Sequence, residues 1–259
     1  MSGNATGFVP RTGGASEVSG YLLDPEKWSG SDGIFALCGQ HLWYTLVTLL
    51  IAGAIGFPIG LFVGHTRRGV TLVAGLANGS RALPSLGLLV LLVILCGPLF
   101  ASGLAFEVPS LVVLILLAVP PIITITYAGI AVVDPAAVDA ARGMGDRPLR
   151  IVFHVEIPCA LPFIFSGLRN ATLQVILTAT IAAYASLGGL DRLIIDGRAQ
   201  SDYGQMVAGA IVVDLLIGIV VRPMVSRGFY RVACTKGDGN RVPLPSFFKP
   251  FSFRETRRR

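Results

Sequence analysis

Neutral polar residues that could hydrogen-bond a solute recur inside an otherwise apolar stretch of this 259-residue chain. They are spaced by four residues and comprise Ser166, Asn170, Gln174 and Thr178. A spacing of four places successive side chains on one face of a helix. Such a stripe can line a passage for a polar solute, or it can form hydrogen bonds between packed helices. The spacing alone leaves both uses open.

Two charged residues, Arg169 and Asp214, also lie within apolar stretches, and Arg81 interrupts a third. An ionisable group inside a membrane span is costly and commonly marks a functional position. A contact between Arg169 and Asp214 would neutralise both charges, whereas Arg169 alone could extend its side chain to the membrane surface. The roles of all three residues stay open.

The residue patterns needed for phosphate or metal chemistry are missing from the sequence. A phosphate-binding loop ends in Gly-Lys-Ser or Gly-Lys-Thr, and none of Lys27, Lys236 and Lys249 follows a glycine. The four cysteines and three histidines are dispersed and have no zinc-binding or redox spacing. We therefore predict no catalytic residue, no cofactor and no metal, and expect any ATP hydrolysis to occur on a partner.

The composition excludes an ordinary soluble domain. Apolar residues make up 53% of the chain and charged residues 14%, whereas soluble domains carry about 25% charged residues. The mean hydropathy is +0.70. The continuous apolar runs favour helices over the alternating strands of a membrane barrel. The predicted fold class is an all-α polytopic membrane protein with five transmembrane helices.

Each predicted span is a run of about 20 mostly apolar residues. The five runs cover residues 42–64, 70–97, 108–133, 161–186 and 204–221. Pro84 in the second span and Pro120-Pro121 in the third remove backbone donors, so we expect these helices to kink or break. A broken helix in lipid needs neighbouring helices or a cavity to satisfy its free backbone groups.

The distribution of Lys and Arg predicts the orientation of the chain. Fifteen of the 21 follow spans one, three and five, and four lie on the other side. The richer side is predicted to be cytoplasmic, with the N-terminus outside and the C-terminus inside. Residues 1–40 then form an external polar arm with a short interfacial helix near residues 33–40. Residues 41–224 form the transmembrane domain.

Residues 225–259 are predicted to form a basic cytoplasmic tail. Contact with anionic membrane lipid and a disordered topology signal both remain open for this tail. The net charge of +6 is thereby explained by topology, and we predict no nucleic-acid partner.

Residues 134–158 form a predicted cytoplasmic loop with strong local signals. Asp134-Pro135 is a typical helix start, and the alanines that follow favour helix. Two glycines then break this helix, Pro148 opens a second short helix, and Pro158 is expected to stop it before span four. A short helix–turn–helix with small residues is suited to docking against another protein.

The same loop resembles the EAA loop of ABC importer permeases. That loop has the pattern Glu-Ala-Ala-x3-Gly-x9-Ile-x-Leu-Pro, and Asp139 stands here for the usual Glu. The matching residues are Asp139, Ala140, Ala141, Gly145, Val155, Ile157 and Pro158. Arg142 and Gly143 are also residue types that are common at these positions of the loop in the family. The resemblance implies a type I permease fold with a coupling helix that inserts into a cytoplasmic ATPase.

Spans two to four resemble the glycine betaine, carnitine and choline permease subunits. The similar stretches are Leu83-Pro84-Ser85-Leu86, Pro121-Ile122, Thr126-Tyr127-x-Gly129, Ser166-Gly167-Leu168-Arg169 and Leu187-Gly188-Gly189-Leu190. The resemblance implies import of a small quaternary-ammonium osmolyte. Candidates for the solute path are Ser85, Thr126, Tyr127, Asn170, Gln174, Thr178 and Tyr184. Packing is the alternative role for the two tyrosines.

The resemblance also implies partners and a location. The partners would be cytoplasmic ABC ATPase subunits, a second permease subunit (identical or different) and an extracellular solute-binding protein, in the cytoplasmic membrane of a prokaryote. Two alternatives stay open. One is an ABC permease for an amino acid such as methionine or proline, and the other is a stand-alone secondary transporter or channel.

Overall fold

The computed structural model describes residues 14–82, 84–100, 104–184 and 188–225. Within these ranges the chain is helical and contains no strand, which confirms the predicted all-α class. The α-helices are α1 (Gly14–Leu23), α2 (Ile34–Thr66), α3 (Val70–Ala82), α4 (Ser85–Cys96), α5 (Leu104–Ala131), α6 (Pro135–Gly143), α7 (Pro148–Ile151), α8 (Ile157–Tyr184), α9 (Asp191–Gln200) and α10 (Tyr203–Val225). A π-helical turn at Val152–Glu156 joins α7 to α8.

Helix α2 packs against α5 through a stripe of glycines spaced by four residues. Gly56, Gly60 and Gly64 are all buried. A Cβ atom on Gly60 would lie 2.7 Å from Cβ of Thr126, and one on Gly64 would lie 2.6 Å from Cβ of Ile130. Small residues at such spacing let helix backbones approach closely in membranes, where burial of apolar surface drives little association.

Helix α5 lies between α2 and α8, so it forms the centre of the bundle. Small residues again set the approach, because a Cβ atom on Gly129 of α5 would lie 2.6 Å from Cβ of Phe163 on α8. Apolar side chains of all three helices meet in one buried cluster. Its members are Ala52, Ala118, Ile122, Ala171 and Val175.

The predicted second span is divided into two helices. Helix α3 ends at Ala82 and α4 begins at Ser85, so the break falls at Pro84, where a backbone donor is missing. Among the residues that the structure describes, four helical stretches are each long and apolar enough to cross a membrane, namely Ile34–Thr66, Leu104–Ala131, Pro148–Ala179 and Tyr203–Arg222. The predicted second span is therefore not one of these four, since it is divided into α3 with 13 residues and α4 with 12.

The other prolines do not break their helices. Pro120 and Pro121 lie inside the continuous helix α5, so these residues do not break span three, and α2 and α8 both pack against that helix. Pro158 does not stop the helix before span four, since the chain continues into α8. A π-helical turn lies directly before Pro158, and such a turn is a local adjustment that can accommodate a missing N–H donor within a helix.

The end of the bundle opposite residues 134–158 has more helix than the sequence predicts. Residues 34–40 are the first turns of α2 rather than a separate interfacial helix, because Ile34 and Leu37 are buried in the core. Helix α1 lies within the predicted polar arm, and α9 follows span four. Both helices pack against α10. The first part of the arm and the basic tail lie outside the described residues.

Candidate functional site

The first helix of the 134–158 segment begins as its residue types dictate. Asp134 is the N-cap of α6, and its Oδ1 accepts a hydrogen bond from the backbone N–H of Ala136 at 3.0 Å. Pro135 occupies the first helical position, where a missing N–H costs nothing. A capping aspartate also places negative charge at the positive end of the helix dipole. The predicted helix start is confirmed.

The same helix ends in a pair of backbone hydrogen bonds that require a glycine. The N–H of Gly145 donates to the carbonyl of Arg142 at 2.9 Å, and the N–H of Asp146 donates to the carbonyl of Ala141 at 3.1 Å. This is the Schellman arrangement, in which the residue after the cap is left-handed. Gly145 has φ of +89°, a conformation that is unfavourable for residues with a Cβ. The glycine of the EAA pattern is therefore needed for the left-handed turn that ends α6.

Helix α6 has one buried and one exposed face. Ala141 is 3% exposed and anchors the helix, whereas Asp139, Ala140 and Gly143 are exposed. Arg142 Nη1 lies 3.4 Å from Asp139 Oδ1, but both side chains are more than half exposed. An exposed ion pair of this kind contributes little to stability. The segment thus presents small and charged residues on a short helix that is capped at both ends.

Large apolar side chains are exposed around this helix. Met144, Leu149 and Phe153 are 79%, 73% and 61% exposed. Met144 lies outside the apolar helices, whereas Leu149 and Phe153 lie in the first turns of the apolar stretch Pro148–Ala179, next to the charged residues Arg147 and Arg150. A group of exposed apolar side chains with a polar surround is typical of a protein-binding surface. Sequence reasoning missed these residues, although their apolar type within a charged loop was an available signal.

The segment ends at the π-helical turn, where Ile157 and Pro158 start α8. The N–H of Ile157 donates to the carbonyl of Val152, which closes the wide turn. Both Ile157 and Pro158 are half-buried. The structure places them at the base of the segment, separate from the exposed face of α6.

The polar stripe of α8 is divided between exposed and self-bonded side chains. Asn170 and Gln174 are exposed, and Ser166 and Thr178 are half-buried. The Thr178 hydroxyl donates to the carbonyl of Gln174 in its own helix. The buried face of α8 carries Ala171 and Val175 instead. The two amides therefore lie on the side of α8 turned away from the core that α2 and α5 form.

The two intramembrane charges are not joined. The buried Nε of Arg169 has no hydrogen-bond partner among the described residues. Asp214 is exposed on α10, and no ion pair between these two residues occurs in the described structure. The side chain of Arg81 lies outside the described residues.

The remaining path candidates divide into packed and accessible positions. Thr126 is fully buried against α2 at Gly60. Tyr127 is half-buried beside an apolar cluster that includes Val63 and Val73. Ser85 is half-buried at the first turn of α4. The side chain of Tyr184 lies outside the described residues.

A polar cleft of about 550 Å³ lies at the opposite end of the bundle, between α1, the start of α2 and α9. Its lining includes Tyr21, Asp32 and Asp196. Burial, with the nearby Asp202 and Asp196 carboxylates, raises the pKa of Tyr21. The phenol therefore remains neutral and available as a hydrogen-bond donor.

Comparison with known proteins identifies a matching family and similar membrane proteins. Residues 56–226 match the model of the family described as binding-protein-dependent transport system inner membrane component. The choline transport system permease protein OpuBB of Bacillus subtilis is 28% identical over 200 residues, covering 74% of this chain and 89% of that protein. The osmoprotectant import permease protein OsmW of Salmonella typhimurium is 32% identical, covering 76% of this chain and 88% of that protein.

A solved structure has the same fold. It is titled as inward facing conformations of the MetNI methionine ABC transporter, and the match has a TM-score of 0.58 at 21% identity. The alignment covers 71% of this chain and 93% of the other chain. At this identity the likeness concerns the fold of the helices.

Proposed function

Because this chain belongs to the family of inner membrane components of binding-protein-dependent transport systems, we propose that it is the permease subunit of an ABC importer for a quaternary-ammonium osmolyte. The observation that carries this proposal is the family match together with relatives named for choline and osmoprotectant transport. The solute class is that of glycine betaine, choline and carnitine.

Coupling to a separate ATPase is supported by the 134–158 segment. Helix α6 is capped at both ends by local hydrogen bonds, so its shape depends little on the rest of the chain. Around it Met144, Leu149 and Phe153 are exposed. A short preorganised helix with adjacent apolar anchors suits insertion into a cleft of another protein. The proposed protein that provides this cleft is a cytoplasmic ABC ATPase.

Pairing with a second permease subunit is supported by the polar face of α8. Asn170 and Gln174 are exposed on a helix whose apolar length is that of a membrane span. An amide facing hydrocarbon without a hydrogen-bond partner is costly. We infer that a second permease subunit and the solute passage cover this face. Neutral amides suit passage of a zwitterion, since they add no fixed charge that would retain it.

The extracellular solute-binding protein is proposed to dock at the opposite end of the bundle. The polar cleft between α1 and α9 lies there, on the side predicted to be external from the Lys and Arg distribution. Selective recognition of the quaternary ammonium group by several aromatic faces is then expected on that protein, while this chain provides a weak polar passage.

Uptake in cells tests the proposed solute class. Cells that lack their other osmolyte importers would express this chain with its ATPase and binding protein. Radiolabelled glycine betaine or choline should accumulate in an ATP-dependent manner. Uptake of methionine or proline with no uptake of betaine, choline or carnitine would refute the solute class and leave the family assignment intact.

A further inference from the structure

The end of α2 contacts the last residue of α5, just before the 134–158 segment, and Glu156 near the end of that segment. Arg67 Nη2 donates to the carbonyl of Ala131, the last residue of α5, at 3.0 Å. His65 Nδ1 lies 2.9 Å and 3.0 Å from the two carboxylate oxygens of Glu156, the last residue of the π-helical turn. One helix end therefore holds both the entry and the exit of the segment.

The contact at the entry depends on an unusual residue at a helix end. Arg67 is the C-cap of α2, its N–H donates to the carbonyl of Val63, and its φ is +57°. A non-glycine residue with positive φ is uncommon, and glycine is the usual solution at a left-handed helix end. Glycine would satisfy the backbone here but would lack the guanidinium that reaches Ala131.

The contact at the exit is largely shielded from water. Glu156 is 5% exposed, and an unpaired buried carboxylate is strongly unfavourable. An ionised carboxylate only accepts hydrogen bonds, so His65 donates through Nδ1–H. The π-helical turn sits directly before α8, and such turns frequently occur at functional positions.

We propose that His65 and Arg67 form a clamp, defined by these two residues with Glu156 and the Ala131 carbonyl, that transmits movement of the 134–158 segment to α2. This inference rests on the proposed function, because an ATPase must move the segment. Since both ends are held, the segment and the end of α2 move together. The glycine stripe of α2 then carries the displacement to α5, at the centre of the bundle. His65, Arg67 and Glu156 are positioning residues in this scheme.

Arg67→Gly removes one contact of the clamp without destabilising the end of α2. Glycine favours the positive φ of this position, while the hydrogen bond to Ala131 is lost. Arg68→Gly is the matched control, because Arg68 is the neighbouring exposed arginine and its φ is not positive. At the exit, Glu156→Leu removes the acceptor and Glu156→Gln keeps one acceptor oxygen for His65.

The test is the number of solute molecules moved per ATP hydrolysed by the complete transporter in proteoliposomes, with its ATPase and binding protein. We expect Arg67→Gly and Glu156→Leu to hydrolyse ATP but to lower this ratio about tenfold, the effect of one lost charge-assisted hydrogen bond. Arg68→Gly should match the parent, and Glu156→Gln should restore most of the ratio.

Parent-like ratios in both Arg67→Gly and Glu156→Leu would overturn the clamp and leave the proposed function standing. Should Arg67→Gly fail to reach the membrane, the comparison of Glu156→Leu with Glu156→Gln decides the question alone. A parent transporter whose ATP hydrolysis does not respond to solute and binding protein would overturn the proposed function, and the clamp with it.

Discussion

The backbone N–H of Asp146 donates to the carbonyl of Ala141 across the end of α6, at 3.1 Å. Ala141 is buried, so this bond ties the exposed turn to the one anchored residue of the short helix. The turn in between holds Gly145 in a left-handed conformation. The geometry of the exposed tip is therefore set by the backbone, and it depends on a single glycine.

Substitution of Gly145 should disturb coupling without removing the protein from the membrane. Left-handed backbone costs a residue with a Cβ about 1–2 kcal/mol, and Gly145→Glu adds bulk and charge at a tip that must fit a protein cleft. No atom lies within 4 Å of its Cβ position, so the membrane domain should be unaffected. We expect uptake to be abolished at a normal membrane level of the chain, as measured by radiolabelled uptake and immunoblotting.

The matched control is Gly39→Glu, at an exposed glycine at the opposite end of the bundle, with open space around its Cβ position and no positive φ. It should transport as the parent does. Normal uptake and normal ATPase co-purification in Gly145→Glu would contradict the coupling role.

Removal of the exposed amides of α8 should lower transport. Asn170→Ala and Gln174→Ala remove side chains proposed to border the passage or the subunit contact. Each neutral hydrogen bond contributes about 1 kcal/mol, so we expect about a fivefold loss of uptake for each variant. Leu177→Ala is the control, since Leu177 is an exposed apolar residue of the same helix. An equal loss for all three variants would argue for general helix packing.

Overpacking the glycine stripe should destabilise the bundle. In Gly60→Ala the new methyl would lie 2.7 Å from Cβ of Thr126, so α2 and α5 must separate. Overpacking of this kind costs about 1–3 kcal/mol, and the Tm of the protein in detergent should fall. Gly39→Ala, in the same helix with no atom within 4 Å, should leave the Tm unchanged or raised. A similar Tm for both variants would contradict the packing assignment.

The orientation can be tested with two cysteines in a background that lacks the four native ones. A membrane-impermeant thiol reagent should label Ala15→Cys in intact cells, because the N-terminus is predicted to lie outside. Asn240→Cys should be labelled only after the membrane is opened. The reverse pattern, or both residues labelled from one side, would overturn the predicted topology.

The parts of the site that were predictable from the sequence are those with local causes. Asp134 and Pro135 start a helix and Gly145 ends it through hydrogen bonds between near neighbours, so residue types alone indicated both ends. The apolar runs likewise predicted the long helices, because length and hydrophobicity are properties of each run.

The features that were not predictable depend on contacts between distant residues. Pro84 follows the end of one helix and precedes the next, whereas Pro120-Pro121 lies within the continuous helix α5, against which α2 and α8 pack. The pairing of His65 with Glu156 joins residues 91 positions apart, and no local sequence pattern predicts it. Family resemblance supplied the role of the 134–158 segment, since a helix–turn–helix alone only indicates docking.

The most direct test of the central claim asks what the tip of α6 touches. A photoreactive residue would replace Met144, which is 79% exposed beside Gly145, and in a control Leu23, which is equally exposed at the opposite end of the bundle. Both variants would be irradiated in membranes that contain the complete transporter. We predict a covalent adduct with the ATPase subunit from position 144 and none from position 23. An ATPase adduct from position 23, or none from position 144 in a transporter that retains uptake, would contradict the account.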